Sequence, residues 1–277
     1  LRRQRQMCIR DSLTTEEYGT ADLVFTVAQF LTPIMSVVIH DAIIRYGLSK
    51  DFKREDVLRV GYYIIGVDIL VAIALGPVVG LYKPLTQWKW YLSVYAVISI
   101  VDSIQFNYLK ACGKNRLYAV LSVLKTACMA SLNVLLLAIK HIGVRGYLLA
   151  NILALCLTDL LVFIFGKYAS ELKRSEHDSK LLKEMLWYST PLILNNISWW
   201  VIQSSDKVMI EYILGPAMLG LYTVAAKIPA LINVVISIFS QAWGISSITE
   251  YEDSNDSTFY STVQRLSLIH ISEPTRP

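Results

Sequence analysis

Charged side chains interrupt the apolar stretches of this sequence, and their chemistry is that of ion pairing, cation binding or proton exchange. The clearest case is the segment SSDKVMIEYILG at 204–215, where Asp206 and Lys207 stand side by side within a long apolar run. A carboxylate or an ammonium in such a place can bind a cation, attract a phosphate, or pair with a neighbouring helix. Which of these applies depends on how deep each side chain lies in its apolar run and on the direction in which it points around the helix.

The apolar runs that hold these charges set the class of protein. Hydrophobic residues make up 54% of the chain and charged residues only 17%, which is outside the range of an ordinary soluble domain. Seven runs are long enough to cross about 30 Å of hydrocarbon as helix, and none alternates as a strand would. The sequence therefore predicts an all-α polytopic membrane helical bundle of about seven transmembrane helices in a lipid bilayer, with the runs at 23–44, 60–82, 90–109, 117–139, 147–165, 185–214 and 218–248.

Both ends of the chain have the character of translated adapter DNA. MCIRDS at 7–12 and LSLIH at 266–270 can be written as the two strands of one DNA element. We therefore exclude 1–12 and 266–277 as adapter-derived tags and expect an internal fragment between them. Without these stretches the formal net charge falls from +4 to +1, so no basic character indicates nucleic acid, and the remaining three cysteines form no zinc or redox motif.

The loops between the runs differ in their basic residues, which predicts orientation. One set of alternate loops carries thirteen Lys and Arg residues and the other set carries four. The richer side belongs in the cytoplasm, so the first run descends inward and the turn at 215–217 lies outside.

Four ionisable residues fall at one depth in four different runs. Helical rise places each of them roughly 12–14 Å from the inner end of its helix. Such a layer can act as structural glue between helices, or at least one of its acids can titrate or bind a cation to drive transport. The sequence leaves these two interpretations level, and the layer consists of Asp68, Asp102, Lys125 and Asp159.

A second group lies nearer the predicted outer side. Asp206, Lys207 and Lys227 all fall roughly 10–14 Å below that surface. Asp206 and Lys207 point about 100° apart around the helix, so at least one must face another helix or water. Either an ammonium here attracts a phosphate or carboxylate, or Lys227 bridges to Asp206 while Lys207 snorkels outward.

Amide and aromatic side chains accompany these charges on the last two runs. Asn196, Trp199, Gln203 and Asn233 are of the types that bind sugars, since amides pair with hydroxyls and aromatic rings stack on sugar faces. The same residues also serve plain helix packing, which is their commoner use.

A weak internal repeat links the first and last runs. Segments beginning at Tyr18 and Leu219 both open on a glycine at the predicted outer face, Gly19 and Gly220, which lie 201 residues apart. An even number of crossings separates them, so the repeat is parallel, with its axis along the membrane normal.

The residues at 13–46 and 188–243 carry a resemblance to a known family. With EEYGTAD at 16–22 and SSDKVMIEYILG at 204–215, the chain resembles the polysaccharide-transporter branch of the multidrug/oligosaccharidyl-lipid/polysaccharide exporter superfamily. The resemblance implies two six-helix lobes in a parent of twelve to fourteen helices. It divides this chain into a first lobe without its first helix at 13–169 (five spans), a cytoplasmic inter-lobe loop at 170–184, and the start of a second lobe at 185–265 (two spans). The positions that match the family motif are Glu17, Tyr18, Gly19, Asp206, Lys207, Gly215, Gly220, Tyr222 and Lys227.

The function implied by this resemblance is that of a non-enzymatic flippase in the bacterial cytoplasmic membrane. An undecaprenyl-diphosphate-linked oligosaccharide would cross by alternating access, with Lys207 and Lys227 attracting the diphosphate, and polysaccharide polymerase machinery would be a further partner. No cofactor is implied, although a proton or sodium ion bound at one of the acids would supply a driving force. The alternatives are a MATE-type drug or cation antiporter, a membrane polymerase or glycosyltransferase, which the short outer loops disfavour, and a membrane scaffold that transports nothing.

Overall fold

The computed structural model describes residues 13–49, 51–175 and 178–227, and most of its described residues are helical, with no strand among them. Residues up to Thr223 form one compact unit, and a second unit begins at Val224, of which 224–227 are described. The all-α class predicted from the sequence is confirmed. The long apolar helices satisfy their backbone hydrogen bonds internally, as a chain in hydrocarbon must.

The first predicted span is a broken helix. Helix α1 spans Thr15–Met35 and α2 spans Ile39–Leu48, and their axes differ by 52°. Pro33 lies inside α1, and Val37 and Val38 adopt positive φ angles of 50° and 54° between the two helices. β-Branched residues rarely adopt this conformation, so the surrounding packing imposes the break. The uninterrupted run at 23–44 gave no sign of this beyond its proline.

Four further helices complete the first part of the chain. Helix α4 lies at its centre and packs against α1, α2, α3, α5 and α6. Helix α5 continues into a π-helical segment at Val134–Ile139, and most of its side chains are exposed, which suits a face turned to lipid or to another lobe. The helices are α3 (Arg54–Val79), α4 (Lys89–Ala111), α5 (Asn115–Asn133) and α6 (Val144–Phe165).

The predicted inter-lobe loop is largely helical. A short helix, α7 (Tyr168–Arg174), precedes α8 (Ser179–Leu214), so most described residues of 170–184 belong to one of the two. Tyr168 is fully buried and its hydroxyl donates to the Gln105 carbonyl oxygen at 2.7 Å, which holds α7 against α4. Helix α9 (Pro216–Ala225) follows a turn at Gly215.

By length and apolar composition, four helices of the described chain could cross a membrane, or five if the bent α1–α2 pair is one span. They correspond to the first five predicted runs. The sixth run is α8, which is long enough but is not among them. Its stretch at 185–205 carries no charge, but Asn195, Asn196 and Gln203 make it less apolar than those helices. The seventh run lies mostly outside the described residues.

Candidate functional site

An ion pair joins α8 to α1 near the C-terminal end of α8. The Lys207 Nζ lies 3.1 Å from Oδ2 and 3.4 Å from Oδ1 of Asp22. The two side chains are 24% and 16% exposed, so the pair is largely removed from solvent. The Thr223 hydroxyl of α9 donates to Oδ2 of Asp22 at 3.0 Å. The Asp22 carboxylate therefore holds three helices together.

Asp206 makes separate contacts on the next face of α8. Its Oδ1 accepts the backbone N–H of Lys207 at 2.8 Å, and its Oδ2 accepts the Tyr222 hydroxyl of α9. The sequence predicts that at least one of the adjacent charges faces another helix or water, and here both side chains contact another helix. These side chains form the junction, a cluster of Asp22, Asp206, Lys207, Tyr222 and Thr223.

Two glycines let α1 and α9 approach closely beside the junction. A Cβ atom added at Gly19 would overlap the carbonyl oxygen of Pro216, and one at Gly220 would overlap the carbonyl oxygen of Thr15. Small residues at helix crossings in membranes permit this kind of backbone contact. A larger side chain at either position would force the helices apart, which gives the two motif glycines a structural reason.

The contacts across this crossing are reciprocal. Gly19 contacts Pro216, and Gly220 contacts Thr15. Gly220 lies 201 residues after Gly19, and Pro216 lies 201 residues after Thr15, so the two contacts are equivalent under the repeat. Contacts of this i-to-j and j-to-i kind are those of a two-fold axis. The crossing therefore supports the internal repeat, with equivalent helices meeting at its local axis.

Other motif positions lie at the same end of these helices. The Tyr18 ring lies 5.9 Å from the Tyr147 ring, centroid to centroid, and connects α1 to α6. Gly215 ends α8 with a φ of 85°, a conformation that favours glycine. Gly215 therefore serves the turn between α8 and α9, whereas Gly19 and Gly220 serve the helix crossing.

The candidate sugar-binding residues of α8 lie mostly on its exposed face. Trp199 is 57% exposed and Gln203 is exposed, whereas the Asn196 amide donates to the Leu192 carbonyl oxygen of the same helix at 3.0 Å. Trp200, next in the chain, packs instead, and its Nε1 donates to the Thr26 carbonyl oxygen at 2.9 Å. Asn233 lies outside the described residues. Lys227 is exposed and belongs to the second unit, so its predicted bridge to Asp206 stays a prediction.

Three members of the predicted charge layer come together inside the bundle. The Lys125 Nζ of α5 lies 2.9 Å from each carboxylate oxygen of Asp102 on α4. Asp159 of α6 interacts with both of them, and its carboxyl is in hydrogen-bonding range of the Asp102 carboxyl. We call Asp102, Lys125 and Asp159 the embedded cluster.

Asp68, the fourth member of that layer, makes no ion pair or hydrogen bond with the three described residues of the embedded cluster. It is fully buried in α3, and neither carboxylate oxygen has a hydrogen-bond partner in the described part of the chain. The four residues that the sequence places at one depth therefore occupy two environments, a charged cluster for three of them and an apolar one for Asp68.

The sequence reasoning missed two residues that the structure places at the predicted outer end. Asp22 is the acid that pairs with Lys207, and its position three residues after Gly19 matches that of Thr223 after Gly220. That repeat spacing is a signal that would have found it. Glu211 is 6% exposed and accepts the Tyr82 hydroxyl at 2.5 Å, which ties α8 to the residues that follow α3.

Comparison with known proteins gives one family and one distant relative. The model of the family described as "Polysaccharide biosynthesis protein" matches residues 10–243. A Haemophilus influenzae protein described as protein 1 of the Lsg locus is 22% identical over 240 residues, covering 83% of this chain and 57% of the relative. The chain thus spans little more than half the length of that relative. No solved structure matches the chain.

Proposed function

The chain belongs to the polysaccharide biosynthesis protein family, and from this premise we propose that it is part of a flippase for lipid-linked oligosaccharides. The cargo is a polyprenyl-diphosphate-linked repeat unit of O-antigen, capsule or exopolysaccharide, moved from the cytoplasmic to the outer leaflet. The protein is a multi-pass membrane protein, and we place it in the bacterial cytoplasmic membrane. No bond is made or broken, so the role is that of a transporter and not of an enzyme. Activity belongs to the full-length protein, of which this chain would supply five spans of the first lobe and two of the second.

The observation that carries the proposal is the largely buried ammonium of Lys207 at the junction between α1 and α8. An ammonium removed from water needs an anionic partner, and Asp22 supplies one in this conformation. A diphosphate is an equally suitable partner, since phosphate oxygens accept strong charge-assisted hydrogen bonds. Lys207 can therefore exchange Asp22 for the cargo without being left unpaired.

This exchange would connect cargo binding to the movement of the lobes. Opening the outer side separates α1 from α8 and α9 and so breaks the contacts of Asp22 with Lys207 and Thr223. A diphosphate stabilises the separated state by taking Asp22's place beside Lys207. Lys227 belongs to the second unit, and its part as a second base stays a prediction. Closure after release restores the Asp22 pair. The cycle is alternating access, with the polyprenyl tail remaining in the lipid.

The exposed face of α8 gives the sugars a surface. Trp199 and Gln203 lie one helical turn apart on that face, with Asn196 on the turn before them. An aromatic ring and amides along one face suit stacking against sugar rings and pairing with hydroxyls. Asn233 lies outside the described residues, and its part in sugar binding stays a prediction. The polymerase machinery that elongates the exported units is the expected downstream partner.

A MATE-type drug or cation antiporter is not favoured, because the family match is to polysaccharide biosynthesis proteins. A vesicle assay distinguishes flipping of a lipid-linked sugar from export of a drug or cation. The full-length protein is reconstituted in vesicles that contain a fluorescent polyprenyl-diphosphate oligosaccharide, and the fraction of label that an external glycosidase can reach is followed with time. We expect protein-dependent translocation of the lipid-linked sugar and no export of a cationic dye. Dye export without sugar translocation would overturn the proposal.

A further inference from the structure

The embedded cluster contains more acid than base. Asp102 and Asp159 bring two carboxyl groups, and Lys125 brings one ammonium, onto three adjacent helices. Fully ionised, the cluster would carry one net negative charge within the bundle. An uncompensated charge in such a place is costly, so the cluster needs one additional positive charge.

The hydrogen bonds of the Lys125 ammonium go to one of the two acids, Asp102. Lys125 Nζ contacts both oxygens of Asp102 at 2.9 Å, and the Phe106 ring lies 4.1 Å away on another side. Asp159 is only 6% exposed, and its Oδ1 has no hydrogen-bond partner in the described chain. The unsatisfied acid therefore points to a ligand that the protein side chains do not supply.

The surroundings of Asp159 offer no second base. The charged neighbours of Asp159 are Lys125 of α5 and Asp102 of α4. Three further titratable groups interact with it and are uncharged, namely Tyr62 of α3, Cys156 of α6 and Tyr168 of α7. The Tyr168 hydroxyl donates to the Gln105 carbonyl oxygen, and the Tyr62 hydroxyl accepts from the Gln105 side-chain amide. Helix α1 also packs against α6, and among the described residues it brings no charged group to this site.

We infer that the Asp102–Asp159 carboxyl pair binds one exchangeable proton, held between α4 and α6 and limited to a single proton by Lys125. A proton suits the geometry better than a metal cation, because Lys125 occupies both Asp102 oxygens and leaves only Asp159 to coordinate. The described residues also contain no group of three or more His, Cys, Asp or Glu side chains that could hold a metal ion. With the proton bound, one carboxyl donates to the other and the cluster is neutral.

The site lies within the first lobe, away from the junction that we assign to cargo. Release of its proton leaves one unbalanced negative charge among α4, α5 and α6, which favours a conformation that admits water there. That this exchange drives transport rests on the proposed function, whereas the binding of the proton does not. The two ideas can therefore fail separately.

The test is infrared difference spectroscopy of the purified full-length protein as a function of pH, with no lipid-linked sugar present. The wild-type spectrum should contain a protonated-carboxyl band that disappears on titration. Asp159→Asn and Asp102→Asn should each remove the same component of that band, because the remaining acid then pairs with Lys125. Lys125→Met should double that component, because two acids without a base hold two protons.

Matched control variants distinguish the infrared band of the Asp102–Asp159 pair from the bands of other carboxyl groups. Asp51→Asn changes an exposed loop acid and should leave the band unaltered. Asp68→Asn should remove a different component that does not respond to Lys125→Met, since Asp68 makes no ion pair or hydrogen bond with the described residues of the cluster. A band unchanged in both Asp159→Asn and Asp102→Asn would overturn the inference. So would saturable ²²Na⁺ binding to the wild type that Asp159→Asn abolishes.

Discussion

The junction and the embedded cluster are both built from acids and a lysine in an apolar setting, yet their charges balance differently. At the junction Asp22 is matched by Lys207, and Asp206 accepts the Tyr222 hydroxyl and a backbone N–H. In the embedded cluster two acids share one lysine. The junction joins helices of two proposed lobes, whereas the cluster lies within one.

This difference indicates what each region can do. A matched ion pair between lobes is stable while the lobes are closed. When they open, its lysine can bind an anionic cargo in place of the aspartate. An unmatched acid inside one lobe stays in place and changes its charge. The first arrangement suits substrate exchange and the second suits proton exchange, and the variants below separate them.

The largest effect is expected from removing the bases proposed to attract cargo. Replacing Lys207 and Lys227 together by Gln in the full-length protein should abolish export of repeat units, because no ammonium remains to compete for the diphosphate. Membrane insertion should be unchanged, because the substitutions add no charge and Asp22, without its ammonium, still accepts the Thr223 hydroxyl. Surface polysaccharide and the amount of protein in the membrane fraction measure the two outcomes, and wild-type export would contradict the diphosphate role.

A charge swap provides the matched control for that experiment. Asp22→Lys combined with Lys207→Asp preserves the ion pair but moves the ammonium from α8 to α1. We expect thermal stability near that of the wild type together with export lowered at least about ten-fold, equivalent to roughly 1.4 kcal/mol. Full export from the swapped pair would mean that Lys207 serves helix packing alone.

An intermediate effect is expected at the glycine crossing. Gly220→Ala places a methyl group against the Thr15 carbonyl oxygen, a backbone atom that cannot rotate away. We expect a loss of about 1–3 kcal/mol in unfolding free energy, as for other overpacked sites, and impaired export. The embedded cluster should keep its infrared band, because it lies elsewhere in the lobe.

Gly66→Ala is the matched control for the crossing. It lies in α3, and an added Cβ there has no heavy atom within 4 Å. Helix propensity alone should then stabilise that variant by up to about 1 kcal/mol. Equal destabilisation of both variants, measured by thermal unfolding in detergent, would show that the crossing is not a tight contact.

The smallest effect is expected from the second partner of Asp22, the Thr223 hydroxyl. Thr223→Val removes one hydroxyl donor and leaves the Lys207 pair in place. Interhelical hydrogen bonds in membrane proteins average about 0.6 kcal/mol, so a loss of that order is expected in equilibrium unfolding. Thr126→Val is the control, because its hydroxyl bonds within its own helix to the Ser122 carbonyl oxygen at 3.1 Å. A larger loss at Thr126 than at Thr223 would contradict the proposed bond.

Much of this organisation followed from residue order. The apolar runs predicted the helices, and helical rise placed Asp102, Lys125 and Asp159 at a common depth, where the structure joins them. Rotation about the helix axis predicted that Asp206 and Lys207 face different directions. Depth and rotation are local properties, so a single helix is enough to determine them.

The failures have a common physical cause. The break at Val37 and Val38 is imposed by surrounding packing on residues that do not favour it. The separation of Asp68 from its layer depends on which way α3 faces, and the pairing of Lys207 with Asp22 joins residues 185 positions apart. None of these is a property of one helix.

The sequence by itself determined that this chain is a membrane helical bundle with ionisable residues at two depths, because hydrophobicity and helical rise act along the chain. Only the tertiary structure decided which charges meet. Partner choice depends on the relative rotation and contact of different helices, and here two glycines set the closest of those contacts.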